Sequence, residues 1–293
     1  MNTIERAMRV ALGERAEFGL AAEAPGTDPA ESTTAPGIDA AGSAAGDLSP
    51  PPRPLLEIDF EALRQRGCVM PDGAGGALAE QFQQVKRRLI DNVASVAAGE
   101  SGRPANVVLV TSALAGEGKT WFTLNLALSL AREIDRTVLV VDSDGAKADL
   151  GHLLGASRRP GLYDALADDE LDLADLILRT QRAGLSFLPA GSVREAATER
   201  LASHAMARLA QDLAQRYPER LILFDAPAVL GTSGAAALAA HVGQVLLVVE
   251  AGRTSAETVR RALAALAHAP MAGVVLNKQS LPRSTPVRVD PAA

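Results

Sequence analysis

Apolar positions along the chain change their period several times, and each change marks an element. Between 78 and 93, Phe82, Val85, Leu89 and Val93 recur at three- and four-residue steps, with Lys86, Arg87 and Arg88 off that stripe. Such spacing predicts an amphipathic helix whose apolar face must dock on a neighbour, and the basic cluster Lys86, Arg87 and Arg88 is read as a solvated face, with contact to a partner as the alternative. Further along, short runs of Val, Leu and Ile alternate with helical patterns. Strands are predicted at 106–112, 137–142, 185–189, 220–225, 244–250 and 272–277, and helices at 119–132, 162–166, 171–178, 196–216, 233–240 and 256–267. Strands that are apolar on both faces and separated by helices imply an α/β domain, doubly wound, with a mainly parallel sheet covered on both sides. In such a domain the ligand site lies at the carboxyl ends of the strands.

The two ends of the chain read differently. Residues 1–20 predict a short N-terminal helix, and 21–54 are dominated by Ala, Gly, Pro, Ser and Thr and contain seven of the 17 prolines. A segment of that composition buries too little apolar surface to offset its chain entropy, so a disordered linker is expected there. The folded domain is expected over 55–278, followed by a flexible tail at 279–293 without tyrosines. The first ten residues hold Glu5 and no apolar run, which does not fit a secretory signal. The longest apolar stretch, 235–251, is interrupted by His241, Gly243 and Gln244 and reads as a helix end followed by a strand, so no direct membrane span is expected.

Charge and composition narrow the function classes. The 293 residues carry 29 Lys and Arg against 35 Asp and Glu, a net charge of −6, which disfavours an electrostatic grip on nucleic acid or anionic lipid. Much of that excess sits in the linker, where Glu23, Asp28, Glu31, Asp39 and Asp47 face Arg53 alone. Six Phe, two Tyr and one Trp leave little from which to build a stacking platform for single-stranded nucleic acid. The single cysteine, Cys68, excludes an internal disulfide and suits a reducing compartment. A cytoplasmic protein is expected, reaching a membrane only through a partner.

Three strand ends carry candidate chemistry. Ala113-Leu114-Ala115-Gly116-Glu117-Gly118-Lys119-Thr120 follows the strand VVLV and opens a helix, the arrangement of a P-loop with Ala at the first glycine position. Backbone amides of 115–120 and of the helix N-terminus would face phosphate oxygens, Lys119 would add a positive charge, and the Thr120 hydroxyl would bind Mg2+. The strand VLVVD ends at Asp142 and continues to Asp144, and LILFD ends at Asp225. Beside a P-loop, Asp225 and Asp142 are candidates for the metal shell and Asp142 for proton acceptance, although an Asp closing a strand also caps turns. Asn277, ending the last strand, offers an amide donor and acceptor to an adenine edge, with a turn-forming role as the alternative. Trp121 is placed to border the nucleotide, with half-buried packing as its alternative.

These motifs resemble the Walker A, Walker A′ and Walker B motifs of the bacterial tyrosine kinase family, the cytoplasmic P-loop kinases of exopolysaccharide assembly. The segments MNTIERAMRVAL, EQFQQVKRRLIDN, RTVLVVDSD, LPAGSVREAATERLASHAMARL, RYPERLILFDAP and GQVLLVVEAGRT further resemble its exosortase-A-associated tyrosine autokinase branch. The resemblance implies a P-loop NTPase-like fold and an ATP- and Mg2+-dependent phosphotransferase acting on protein tyrosine. Lys119 and Thr120 would then hold ATP and Mg2+, Asp142 and Asp144 would be the Walker A′ acids, and Asp225 the Walker B acid. It also implies a membrane polysaccharide copolymerase or chain-length determinant protein as activator, with the kinase peripheral to the inner membrane. Partitioning ATPases of similar core carry an extra Lys early in the loop, where this chain has Ala113-Leu114-Ala115.

Some positions depart from the family pattern. Lys147-Ala148 stands where the family has Arg-Pro, and Asp225-Ala226-Pro227-Ala228 where it has Asp-x-Pro-Pro. Glu80, Gln83 and Lys86 take the positions of the family's ring-assembly pattern Glu-x-x-Arg-x-x-Arg, which leaves a homo-oligomer as an open expectation. The family's usual substrate is its own tyrosine-rich tail, whereas the two tyrosines here are Tyr163 and Tyr217, in regions expected to pack. Two readings therefore stand: a tyrosine kinase regulating exopolysaccharide polymerisation and export, or an ATP-binding regulatory scaffold of the same membrane assembly.

Overall fold

The computed structural model describes residues 55–68, 77–96, 103–192 and 196–279. The expected helix at 1–20, the linker at 21–54 and the tail beyond Gln279 lie outside the described residues. In chain order the elements are β1 (Leu55–Leu56), α1 (Phe60–Gln65), α2 (Ala77–Val96), β2 (Val107–Ser112), α3 (Lys119–Leu130) and β3 (Thr137–Asp142). Then follow α4 (Asp149–Leu153), α5 (Leu162–Ala165), α6 (Leu173–Leu176), β4 (Leu178–Thr180), β5 (Leu185–Leu188), α7 (Ala197–Leu201) and α8 (His204–Arg216). The last are β6 (Arg220–Asp225), α9 (Gly234–Ala239), β7 (Gln244–Glu250), α10 (Ala256–Ala265) and β8 (Met271–Asn277).

The eight strands form one sheet in the order β1-β4-β5-β3-β6-β2-β7-β8. From β5 to β8 every neighbouring pair is parallel, while β4 runs antiparallel to β5 and carries β1 parallel to itself. The strand that feeds the phosphate loop, β2, is central, between β6 and β7. All six of its residues are buried, and their alternation serves both faces. Val107 and Leu109 join the core beneath α5, α8, α9 and α10, whereas Val108 and Val110 join a separate core beneath α1, α2, α3 and α4. Successive side chains of a strand point to opposite faces, so one apolar run fills two cores.

The amphipathic helix predicted from 78 is α2, with Phe82 and Leu89 buried against the second core. Lys86 departs from expectation. It is 5% exposed and pairs with Glu133 beyond the end of α3, so it is a buried contact inside the chain and not part of a solvated basic face. Gln244, also buried, ties the same region together. Its Oε1 accepts from Asn92 Nδ2 at 2.9 Å and its Nε2 donates to the Leu89 and Ala105 carbonyls.

Two expected elements change. The long helix at 196–216 is two helices, because Ser203 leaves the helical conformation and its hydroxyl accepts from Met206 N, starting α8 afresh. The helix at 171–178 shrinks to α6, capped by Asp172, and Leu178 already belongs to β4. The short elements β1, α1 and α4 had no prediction; each is at most six residues long, too short for a periodic signal. Truncating Leu89 to Ala at the α2 contact is expected to cost about 3 kcal/mol in urea unfolding, whereas the exposed Arg87 changed to Ala should shift stability by less than about 0.5 kcal/mol.

Candidate nucleotide and phosphoryl-transfer site

Strand register brings the acids together. On β3 and β6, Asp142 pairs directly with Asp225, and Asp225 in turn lies opposite Val110 of β2. The chain leaving β2 therefore passes in front of both carboxylates before it turns into α3. Gly118 caps α3 in the left-handed region (φ 92°) and supplies no side-chain cap, so the first amides of a twelve-residue helix keep their donor capacity. A Cβ at Gly118 would lie 2.3 Å from Asn277 Nδ2, which adds a steric reason for glycine to the conformational one.

Lys119, the first residue of α3, is buried and reaches back toward the acids. Its Nζ lies 2.8 Å from Asp144 Oδ2 and 3.9 Å from Asp225 Oδ1. Burial alone would pull this ammonium down, but Asp225 and Asp144 together hold it above its usual value. Thr120 Oγ1 donates to Asp225 Oδ2 at 2.7 Å, and Thr123 Oγ1 lies 3.3 Å from Asp225 Oδ1. Even so, burial outweighs the Lys119 charge and both hydroxyls, so the Asp225 carboxyl sits above its ordinary range. Asp142 accepts from the backbone N–H groups of Gly151 and Asp144. Burial, reinforced by the charge of Asp225, raises its carboxyl from 3.8 to about 7.

The structure thus gathers Lys119, Thr120, Asp142, Asp144 and Asp225. It gives different settings to the remaining candidates. Ala115 and Gly116 are exposed on the loop, but the Glu117 side chain turns inward and is 2% exposed. Its carboxylate accepts from Leu114 N at 2.6 Å, from Glu250 N at 3.3 Å and from the Thr254 hydroxyl. Asn277 spends an amide hydrogen on the Glu117 carbonyl at 2.8 Å. Trp121 is half-buried, packs near Phe82 with ring centroids 6.0 Å apart, and lines a groove of about 570 Å3 together with Asn277 and Val275. Sequence reasoning missed the inward Glu117 and its partners Thr254 and Glu250, because no spacing rule relates residues more than 130 positions apart.

The donor set fits a magnesium nucleotide. Open helix amides and a lysine suit phosphate, and one hydroxyl with two carboxylates are the hard oxygen donors that Mg2+ takes. Among the described residues no group of three or more His, Cys, Asp or Glu side chains is placed to hold a metal ion by itself. The Tyr163 hydroxyl is buried beside the site acids, where burial and the charges of Asp144 and Asp142 hold it above its usual value. Tyr163 is 2% exposed with its hydroxyl donating to the Ser143 carbonyl at 2.9 Å, and the Tyr217 ring lies under the Arg220 guanidinium at 4.1 Å.

Fold and site together define a P-loop α/β protein. No protein-family model matches the chain. The kinase domain of VpsO is 31% identical and superposes with a TM-score of 0.55, covering 70% of this chain and all of that one. The chain belongs to the bacterial tyrosine kinase family. The succinoglycan biosynthesis transport protein ExoP of Rhizobium meliloti is 31% identical over 73% of this chain and 26% of its own. The tyrosine-protein kinase YwqD of Bacillus subtilis is 26% identical over 74% of this chain and 88% of its own. The chain spans about a quarter of the length of the first curated relatives it matches.

The raised Asp142 carboxyl has a thermodynamic signature. As pH rises from about 4 to 7 the unfolded state loses this proton while the folded state keeps it, so stability falls across that window and stays lowered above it. Asp142→Asn is therefore expected to exceed the parent in stability by on the order of 2 kcal/mol at pH 8, the gap closing toward pH 4.5. Urea unfolding at a series of pH values, without nucleotide, checks this; a gap that does not narrow as pH falls would contradict it.

Proposed function

We propose that this chain is an ATP-dependent, non-specific protein-tyrosine kinase of the exosortase-A-associated branch, regulating exopolysaccharide polymerisation and export. The observation that carries this reading is the convergence of Lys119, Thr120, Asp142, Asp144 and Asp225 at the uncapped start of α3, in a chain of this family. Residues 115–120 would hold the phosphates through their amides, and Thr120, Asp142 and Asp225 would hold Mg2+, which supplies charge neutralisation at the transferred phosphoryl group.

The chain's own groups would divide the remaining work. Asp225 orients the Thr120 hydroxyl by accepting its hydrogen bond. Asp144 holds the Lys119 ammonium in place, from which it can follow charge developing on the phosphoryl oxygens. Asp142, with its carboxyl near 7, is tuned to accept the proton of an attacking tyrosine hydroxyl at a carboxylate oxygen near neutral pH. Much of the rate would come from holding these groups in place. With the Tyr163 hydroxyl buried and bonded to the Ser143 carbonyl, and the half-buried Tyr217 ring under Arg220, the acceptor would be a tyrosine of another protein.

A membrane polysaccharide copolymerase would serve as activator. The match to one quarter of ExoP, a transport protein of succinoglycan biosynthesis, supports this reading. Among the described residues no helix is long and apolar enough to cross a membrane, which fits attachment through that partner on the cytoplasmic side.

Phosphotyrosine mapping after incubation with ATP, Mg2+ and the activator's cytoplasmic segment tests the proposal. Transfer to a partner tyrosine is expected, and Lys119→Ala should reduce it by at least about a hundredfold. Nucleotide-dependent partner binding without any phosphotyrosine would instead favour the second reading, an ATP-binding regulatory scaffold, which the packing of both tyrosines motivates.

A further inference from the structure

We infer that Lys278 is a positioning residue for the nucleotide, acting through the carbonyl of Gly116 and braced by Glu250. The inference rests on the site reading above and adds a group that does not itself touch the ligand. Four side chains from the ends of β7 and β8 and from the loop itself fix the loop. Lys278 Nζ donates to the Gly116 carbonyl at 2.6 Å and lies 3.1 Å from Glu250 Oε2. Asn277 Nδ2 donates to the Glu117 carbonyl at 2.8 Å, and the Glu117 carboxylate accepts from Leu114 N, Glu250 N and the Thr254 hydroxyl.

The consequence follows from the planarity of the peptide bond. In a trans peptide the C=O and the following N–H point in opposite directions. Pinning the Gly116 carbonyl toward β8 therefore aims the Glu117 N–H away from β8, and pinning the Glu117 carbonyl does the same for the Gly118 N–H. Two successive amides are turned to one side of the loop, which is the arrangement that cradles an anion. Without those pins a loop holding two glycines at positive φ, Gly116 at 88° and Gly118 at 92°, has several other backbone conformations available. Lys278 is itself at φ 57°, an uncommon conformation for a lysine. That bend lies where the chain leaves β8 and its side chain returns to the loop. The Lys278 charge is shared with Glu250, so its role is separable from that of Lys119, whose partners are Asp144 and Asp225.

Binding of ATP with Mg2+ to the full chain, followed by the fluorescence of Trp121 and by calorimetry, tests the inference without requiring phosphoryl transfer. Lys278→Met is expected to raise the ATP Kd about fivefold or more while the melting temperature changes little, since the side chain is 43% exposed. Lys278→Arg, which keeps a donor for the Gly116 carbonyl, should return the Kd to within about twofold of the parent. Glu250→Gln should weaken binding in the same direction, and the double variant should lose less than the sum of the two. An unchanged Kd in Lys278→Met overturns the inference. So does tighter binding in Glu250→Gln, which would mean that a freed Lys278 charge acts on the ligand directly. If Lys278→Met fails to fold, Lys278→Arg and Glu250→Gln decide alone. A parent chain that binds no nucleotide defeats the kinase reading itself, whereas normal parent binding with unaffected variants defeats only the role of Lys278.

Discussion

Two carboxylates that strand register forces to face each other are the constraint around which the site is arranged. Asp142 and Asp225 sit opposite one another at the ends of β3 and β6, nearly or fully excluded from water. Two buried like charges are costly unless protons, cations or donors compensate them. The chain supplies compensation from different elements: the Lys119 ammonium and the Thr120 and Thr123 hydroxyls from α3, the Gly151 amide from α4, and at Asp142 a raised proton affinity. The stress concentrated there is what a cation and phosphate chemistry can relieve, so groups that burden the folded state are the same ones that suit it to phosphoryl transfer.

Much of this was legible from the residues. Apolar runs placed β2, β3, β5, β6, β7 and β8 to within two residues, since a strand buried on both faces has a distinctive composition. The site acids were legible because each ends such a strand, and parallel neighbours place strand ends together. Other features lay beyond that kind of reading. Ser203 splits a helix through one hydroxyl, and nothing in the flanking helical pattern signals it. The antiparallel β4 is three residues long and holds two leucine-rich neighbours apart. Lys86 looked like a solvated cation because spacing tells which face of a helix is apolar, but not that Glu133 waits at the edge of that face. The inward turn of Glu117 was hidden for the same reason, since its partners come from β7 and the turn after it.

Family likeness and local chemistry meet at the loop. Similarity to a kinase domain extends over 70% of the chain, whereas distances, burial and proton affinity define what Lys119, Asp142 and Asp225 can do. Tyrosine illustrates why both are needed. The machinery that would modify it is assembled, yet the chain's own two rings are already engaged, Tyr163 through a hydroxyl bonded to Ser143 between the site acids and Tyr217 through its face under Arg220. Regulation of such a protein would then lie in which molecule presents a phenol to Asp142.

The sheet also acts as a partition. Because odd and even positions of β2 serve separate cores, the helices behind α8 and those around α3 communicate mainly through strand backbone, not through shared side-chain packing. Substitutions can accumulate on the α8 side, adjusting volume among themselves, while α3 keeps its position; of the loop before it, Ala113 is the residue anchored in the α8-side core. A lineage can in this way redesign half of its interior and keep its chemistry in place, which is one physical route to relatives that share a fold at an identity near one residue in three.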